Sequence, residues 1–116
     1  MPAVHVAVSD LIFSSRIAAE ARALNVQVQW VRTPAACTDW QQSPPRLLII
    51  DLNLTATDPL DLIGRAKTLS TPPKIIAFLS HVQQELARQA ADKGADMVMP
   101  RSTFAVELPN LLRGIK

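Results

Sequence analysis

An unbroken aliphatic run that stops at a carboxylate, Leu47-Leu48-Ile49-Ile50-Asp51, constrains this chain more than any other feature. An apolar run of that length, with no polar alternation, suits a parallel strand buried on both faces. The acid that follows then stands at the strand's C-terminal edge, where open α/β sheets bind ligands. Three further runs end comparably: Val4 to Val8 at Ser9-Asp10, Ile75 to Leu79 at Ser80-His81, and Met97 to Met99 at Pro100-Arg101. One sheet built from these strands gathers two acids, a hydroxyl and a cation on one rim.

Helical segments separate the runs. Phe13, Ile17, Ala21 and Leu24 share one face of a helix predicted over 13–24. Val26 to Val31 alternates apolar and polar residues, as a half-exposed edge strand does. Thr33-Pro34 reads as an N-cap with proline at the first helical position, opening a second helix to Gln42; Asp58-Pro59 opens a third to Leu69. A fourth is predicted from Val82 to Lys93, stopped by Gly94, with a fifth strand from Asp96 to Met99. Pro109 lacks an N–H and clashes with the preceding turn, so the last helix is expected to start near Glu107 or Leu108 and to be short. Its core face is then Leu108, Leu111, Leu112 and Ile115. This strict alternation, with right-handed crossovers, predicts a flavodoxin-like (βα)5 three-layer α/β sandwich with a parallel five-stranded sheet in the order 2-1-3-4-5. That order sets the strands ending in Asp10 and Asp51 side by side.

The 116 residues suit a single domain over 1–116, and a hydrophobic content of 48% excludes wholesale disorder. The net charge of +2 comes from basic residues scattered between Arg16 and Lys116, which argues against direct nucleic-acid binding. Cys37 is the only cysteine, so no internal disulfide or thiolate zinc cluster forms. No membrane span or leader is expected, and the reducing cytoplasm is the expected compartment. No glycine falls between Ser9 and Ser15, which argues against a phosphate-cradling loop and a nucleotide-dependent enzyme.

Over essentially its whole length, and most strongly from Leu47 to Leu62 and from Lys74 to Arg101, the chain resembles the bacterial response-regulator receiver domain (CheY-like). The segment from Leu47 through Asp51, Asn53, Asp58 and Leu62 has the form of that family's phosphoacceptor stretch without a gap, and Gly94-Ala95-Asp96 has the form of its turn into the fifth strand. The resemblance implies a signalling protein and not an enzyme. It implies that Asp51 accepts a phosphoryl group from a histidine kinase or phosphotransfer protein. Asp10, Asp51 and the backbone carbonyl of Asn53 would hold Mg2+, while Ser80 and Arg101 would bond the phosphoryl oxygens. A downstream protein partner would read a shift of the fourth helix, fifth strand and fifth helix, and the same face would form a homodimer. General chemistry agrees: phosphoryl transfer needs a positioned acceptor oxygen and cations for the equatorial oxygens. Mg2+ takes hard oxygen ligands. Two adjacent carboxylates raise one another's pKa unless a cation intervenes.

The chain departs from the family at Ser9, which stands where a second acid is usual, and at Arg101-Ser102, which replaces lysine and proline. His81 occupies a usually small position guarding the acceptor, and Val98 replaces a switching aromatic. These departures support an alternative: a degenerate receiver that binds a partner without phosphorylation. Simpler readings also stand beside the site roles. Asp10 and Ser80 suit helix caps, Asp51 suits a loop cap, and His5, Trp30 and Trp40 suit packing positions.

Overall fold

The computed structural model describes residues 3–33, 39–55, 57–80 and 83–115. Its elements are β1 (Val4–Ala7), α1 (Leu11–Ala23), β2 (Val28–Trp30), β3 (Leu47–Asp51), α2 (Pro59–Lys67), β4 (Lys74–Leu79), α3 (Gln84–Lys93), β5 (Met97–Pro100) and α4 (Arg101–Arg113). All strand pairs are parallel and the sheet order is β2-β1-β3-β4-β5, as the alternation predicts.

Side-chain parity along the strands divides the interior into two layers. Leu48, Ile50, Ile75, Ala77 and Leu79 face α2 and α3. Val4, Val6, Leu47, Ile49, Ile76 and Phe78 face α1 and α4. The side chains of β3 from Leu47 to Ile50 are all within 1% of full burial, each contributing about 1.5–3 kcal/mol. Parity carries Asp51 to the α1/α4 side, after Leu47 and Ile49.

Local signals set most helix ends. Asp58 caps α2 by accepting from Leu60 and Asp61 N–H, with Pro59 at the first turn. Gly94 ends α3 at φ +122°, where a Cβ would stand 2.9 Å from the Lys67 side chain.

Two expectations are corrected. The last helix is long: α4 runs from Arg101 through Pro109 to Arg113. Phe104, Leu108 and Leu112 are fully buried along it. Their combined burial, about 1.5–3 kcal/mol each, exceeds the roughly 3 kcal/mol cost of an internal proline. The expected second helix is absent where the structure describes it, because Gln42 and Ser43 N–H both donate to the Asp39 carbonyl and close a turn. Residues 34–38 of that prediction lie outside the described residues. Met99 is a core residue at 6% exposure, leaving Met97, at 43%, as the surface methionine of β5.

Among the described residues no helix is long and apolar enough to cross a membrane.

Candidate functional site

The C-terminal ends of β1, β3, β4 and β5 bring Asp10, Asp51, Ser80 and Arg101 to one mouth. Asp51 terminates β3 and is 3% exposed. Its Oδ1 accepts from the Asn53 backbone N–H at 2.9 Å, and its Oδ2 lies 3.6 Å from Arg101 Nη2. Asp10 follows β1 and caps α1: its Oδ1 accepts from Ile12 N–H at 2.8 Å and Phe13 N–H at 3.1 Å. Its Oδ2 accepts from Arg101 Nη1 at 3.4 Å. Asp10 thus divides its oxygens, one capping α1 as expected and the other facing Arg101.

Arg101 is the first residue of α4, directly after β5, so the chain turn itself delivers the guanidinium to the rim. Aromatic rings support it from behind. Its Cζ lies 5.1 Å from the Phe13 ring and 5.8 Å from the Phe78 ring. Phe78 in turn stacks on Phe104 at 4.4 Å. A cavity of about 470 Å3 opens beside this cation, lined by Phe13, Ser80, Pro100, Arg101, Ser102 and Ala105.

The Asn53 side chain ties two loops together. Its Nδ2 donates to Gln83 Oε1 at 2.6 Å, and its Oδ1 accepts from Ser80 N–H at 3.2 Å and, more loosely, from Ser80 Oγ at 3.5 Å. Ser80 does not cap α3; the residue before that helix is Gln83, which makes no side-chain cap bond. Gln83 carried no signal in the sequence, because its role depends on Asn53, 30 residues earlier. His81 lies outside the described residues. Val98 is half-buried on β5, and no peptide bond among the described residues is cis, including that before Pro100.

Burial pushes the Asp51 carboxyl above the ordinary aspartate range. The Asn53 N–H and the Arg101 charge pull it back down, while Asp10 adds a smaller upward push. The result is a poorly solvated, basic carboxylate beside an intervening cation, which suits a nucleophilic acceptor oxygen.

Of the donor set implied for Mg2+ (Asp10, Asp51 and the Asn53 carbonyl), the two acids meet at this mouth, but their outer oxygens already face the guanidinium. As arranged here, the set does not fit a divalent ion. Among the described residues no group of three acidic, histidine or cysteine side chains gathers to hold a metal.

No protein-family model and no curated protein sequence matches the chain. Solved structures do. A response-regulator signal receiver domain from Bermanella marisrubri matches with a TM-score of 0.78 at 20% identity, over 96% of this chain and 94% of that one. A CheY-like receiver domain protein from Methanospirillum hungatei JF-1 matches with a TM-score of 0.78 at 14% identity, over 97% and 90%. A response regulator protein from Burkholderia pseudomallei, solved with a phosphorylated aspartic acid, calcium ion and citrate, matches with a TM-score of 0.72 at 16% identity, over 97% and 69%. The chain has the receiver-domain fold.

Proposed function

We propose that this chain is a receiver-type module of a two-component phosphorelay, which accepts a phosphoryl group on Asp51 and thereby changes its affinity for a protein partner. One observation carries the reading: Asp51 ends the fully buried β3 at a rim shared with Asp10, Asn53, Ser80 and Arg101, where the Asn53 N–H and the Arg101 guanidinium face its carboxylate. The similarly folded Burkholderia protein with a phosphorylated aspartic acid supports it.

Asp51 Oδ2 attacks the phosphorus of a phosphohistidine on a kinase or phosphotransfer protein. The P–N bond breaks as the P–O bond forms, and the departing imidazole nitrogen takes a proton from water. Asn53 N–H holds Oδ1 in place, while Arg101 and the Ser80 hydroxyl bond the phosphoryl oxygens. The phosphoryl group carries about −1.5 to −2 charges in place of the single charge of the Asp51 carboxylate, and so adds up to about one negative charge beside Asp10 and Arg101. Asn53 links that change to Ser80 and to Gln83 at the start of α3, a route that needs no switching aromatic at Val98. The α3–β5–α4 face, with Met97 and Val106 exposed, is the surface offered to a downstream partner or a second copy; the beryllofluoride-activated NtrC4 receiver domain, of similar fold, is a dimer.

The near-complete burial of Asp51 and its contact with Arg101 favour a second reading, a module bound constitutively by its partner without phosphorylation. Intact mass after incubation with acetyl phosphate separates the two. A single phosphoryl adduct, lost in Asp51→Asn, is expected; no adduct on the native chain overturns the acceptor reading in favour of the second.

A further inference from the structure

Asp10 and Asp51 divide their oxygens in the same way. Each commits Oδ1 to backbone N–H groups, Ile12 and Phe13 for Asp10 and Asn53 for Asp51. Each turns Oδ2 to a different arm of one guanidinium, Nη1 at 3.4 Å and Nη2 at 3.6 Å. A planar fork spans two acids in this manner, whereas a lysine ammonium is a single point of charge. The fork is also confined. Phe13 and Phe78 lie against it, Phe104 backs Phe78, and its backbone opens α4.

A Mg2+ ion needs oxygen ligands at about 2.0–2.1 Å in near-octahedral geometry. The two carboxylate oxygens able to provide them are the pair that flank the guanidinium. An ion touching both would sit within van der Waals reach of Arg101 and suffer direct charge repulsion. Ser9, beside Asp10, offers no third carboxylate to outweigh it. The ion and the fork therefore exclude one another.

We propose that the Arg101 guanidinium is the resident cation of this mouth, in place of a divalent metal. Where Asp51 accepts a phosphoryl group, which rests on the reading above, it does so without one. The two guanidinium arms that now face Asp10 and Asp51 then turn to the equatorial oxygens. With acetyl phosphate as donor, the P–O bond to acetate breaks as the bond to Asp51 Oδ2 forms, and acetate leaves as the anion.

The test has two arms on the full chain. In the first, Mg2+ is titrated while the backbone amides of Asp10, Asp51 and Asn53 are followed by 1H–15N NMR. The native chain is expected to show no saturable shift, and Arg101→Gln to gain one. A saturable shift in the native chain overturns the proposal. A folded Arg101→Gln that gains nothing also overturns it, because Arg101 then is not what excludes the ion. Should Arg101→Gln fail to fold, Arg101→Lys serves, with Mg2+ binding expected to emerge because the ammonium cannot span both acids; no emergence in a folded Arg101→Lys counts against the proposal in the same way.

In the second arm, acetyl phosphate labelling of the native chain is compared in Mg2+ and in EDTA. Equal labelling supports the proposal. Labelling in Mg2+ alone overturns it while leaving Asp51 as acceptor. Absence of labelling in both overturns the acceptor reading, and the NMR arm alone then decides the identity of the cation.

Discussion

Two of the buried polar pairs among the described residues lie on opposite sides of the sheet, and they are neutralised in opposite ways. On the α2/α3 side, Trp40 Nε1 donates to His5 Nδ1 at 3.0 Å, and both residues are 2% exposed. Indole nitrogen only donates, so His5 is neutral with its proton on Nε2. This pair ties the connection after β2 to the middle of β1, away from the rim. On the α1/α4 side, Asp51 is as deeply buried, yet its partner is a cation whose side chain is 33% exposed. A neutral, directly bonded pair stabilises the fold. A buried acid held at 3.6 Å by a shared guanidinium costs stability and keeps its basicity. Burial of polar groups alone therefore does not mark a site. Incomplete neutralisation at the C-terminal edge of the sheet does.

The largest effect expected from breaking this contrast is on the neutral pair. Trp40→Ala should destabilise the chain by about 3–5 kcal/mol in chemical denaturation, through the lost ring and the lost bond together. A change under about 1 kcal/mol would remove the structural role given to it. Asp10→Ala comes next, at about 1–2 kcal/mol, because it removes the α1 cap. Asp10→Ser, which keeps a capping oxygen but no charge, should restore most of that loss while still freeing Arg101.

Asp51→Asn should act with the opposite sign, raising stability at neutral pH, because it removes a carboxylate that burial disfavours. The folded pKa lies above the unfolded one, so the acid's favourable contribution is complete below the ordinary aspartate range and is lost as pH rises through the folded value. The gain from Asp51→Asn should therefore vanish in acid. Denaturation at both pH values checks this; a gain independent of pH would contradict it. Arg88→Ala should have no measurable effect on the same denaturation midpoint. That side chain pairs with Glu85 and Asp92 on the exposed face of α3, where water screens the charges.

Much of this was legible in the sequence because it depends on neighbours along the chain. The unbroken run into Asp51, the Asp58-Pro59 cap and the Gly94 stop are local signals, and each stands where it was expected. The sheet order followed from the half-exposed pattern of β2, which marks an edge. The failures concern residues whose partners are distant. Pro109 read as a helix breaker because its cost is local, whereas the burial of Phe104, Leu108 and Leu112 that offsets it is tertiary. Trp40 read as a packing residue, and nothing near it in sequence announced a bond to His5, 35 residues away. At the mouth, Asp10, Asp51, Ser80 and Arg101 were each legible as strand-end residues. That one fork spans both acids was not, because it depends on α4 starting directly after Pro100.

Asp51 as a buried acid whose cation is Arg101 is measured most directly by a 13C titration of its side-chain carboxyl in the native chain and in Arg101→Gln. The native midpoint is expected above the ordinary aspartate range, and that of Arg101→Gln higher still, since the cation's lowering effect is gone. A native midpoint within or below the ordinary range, or one that does not move when Arg101 is neutralised, would contradict it.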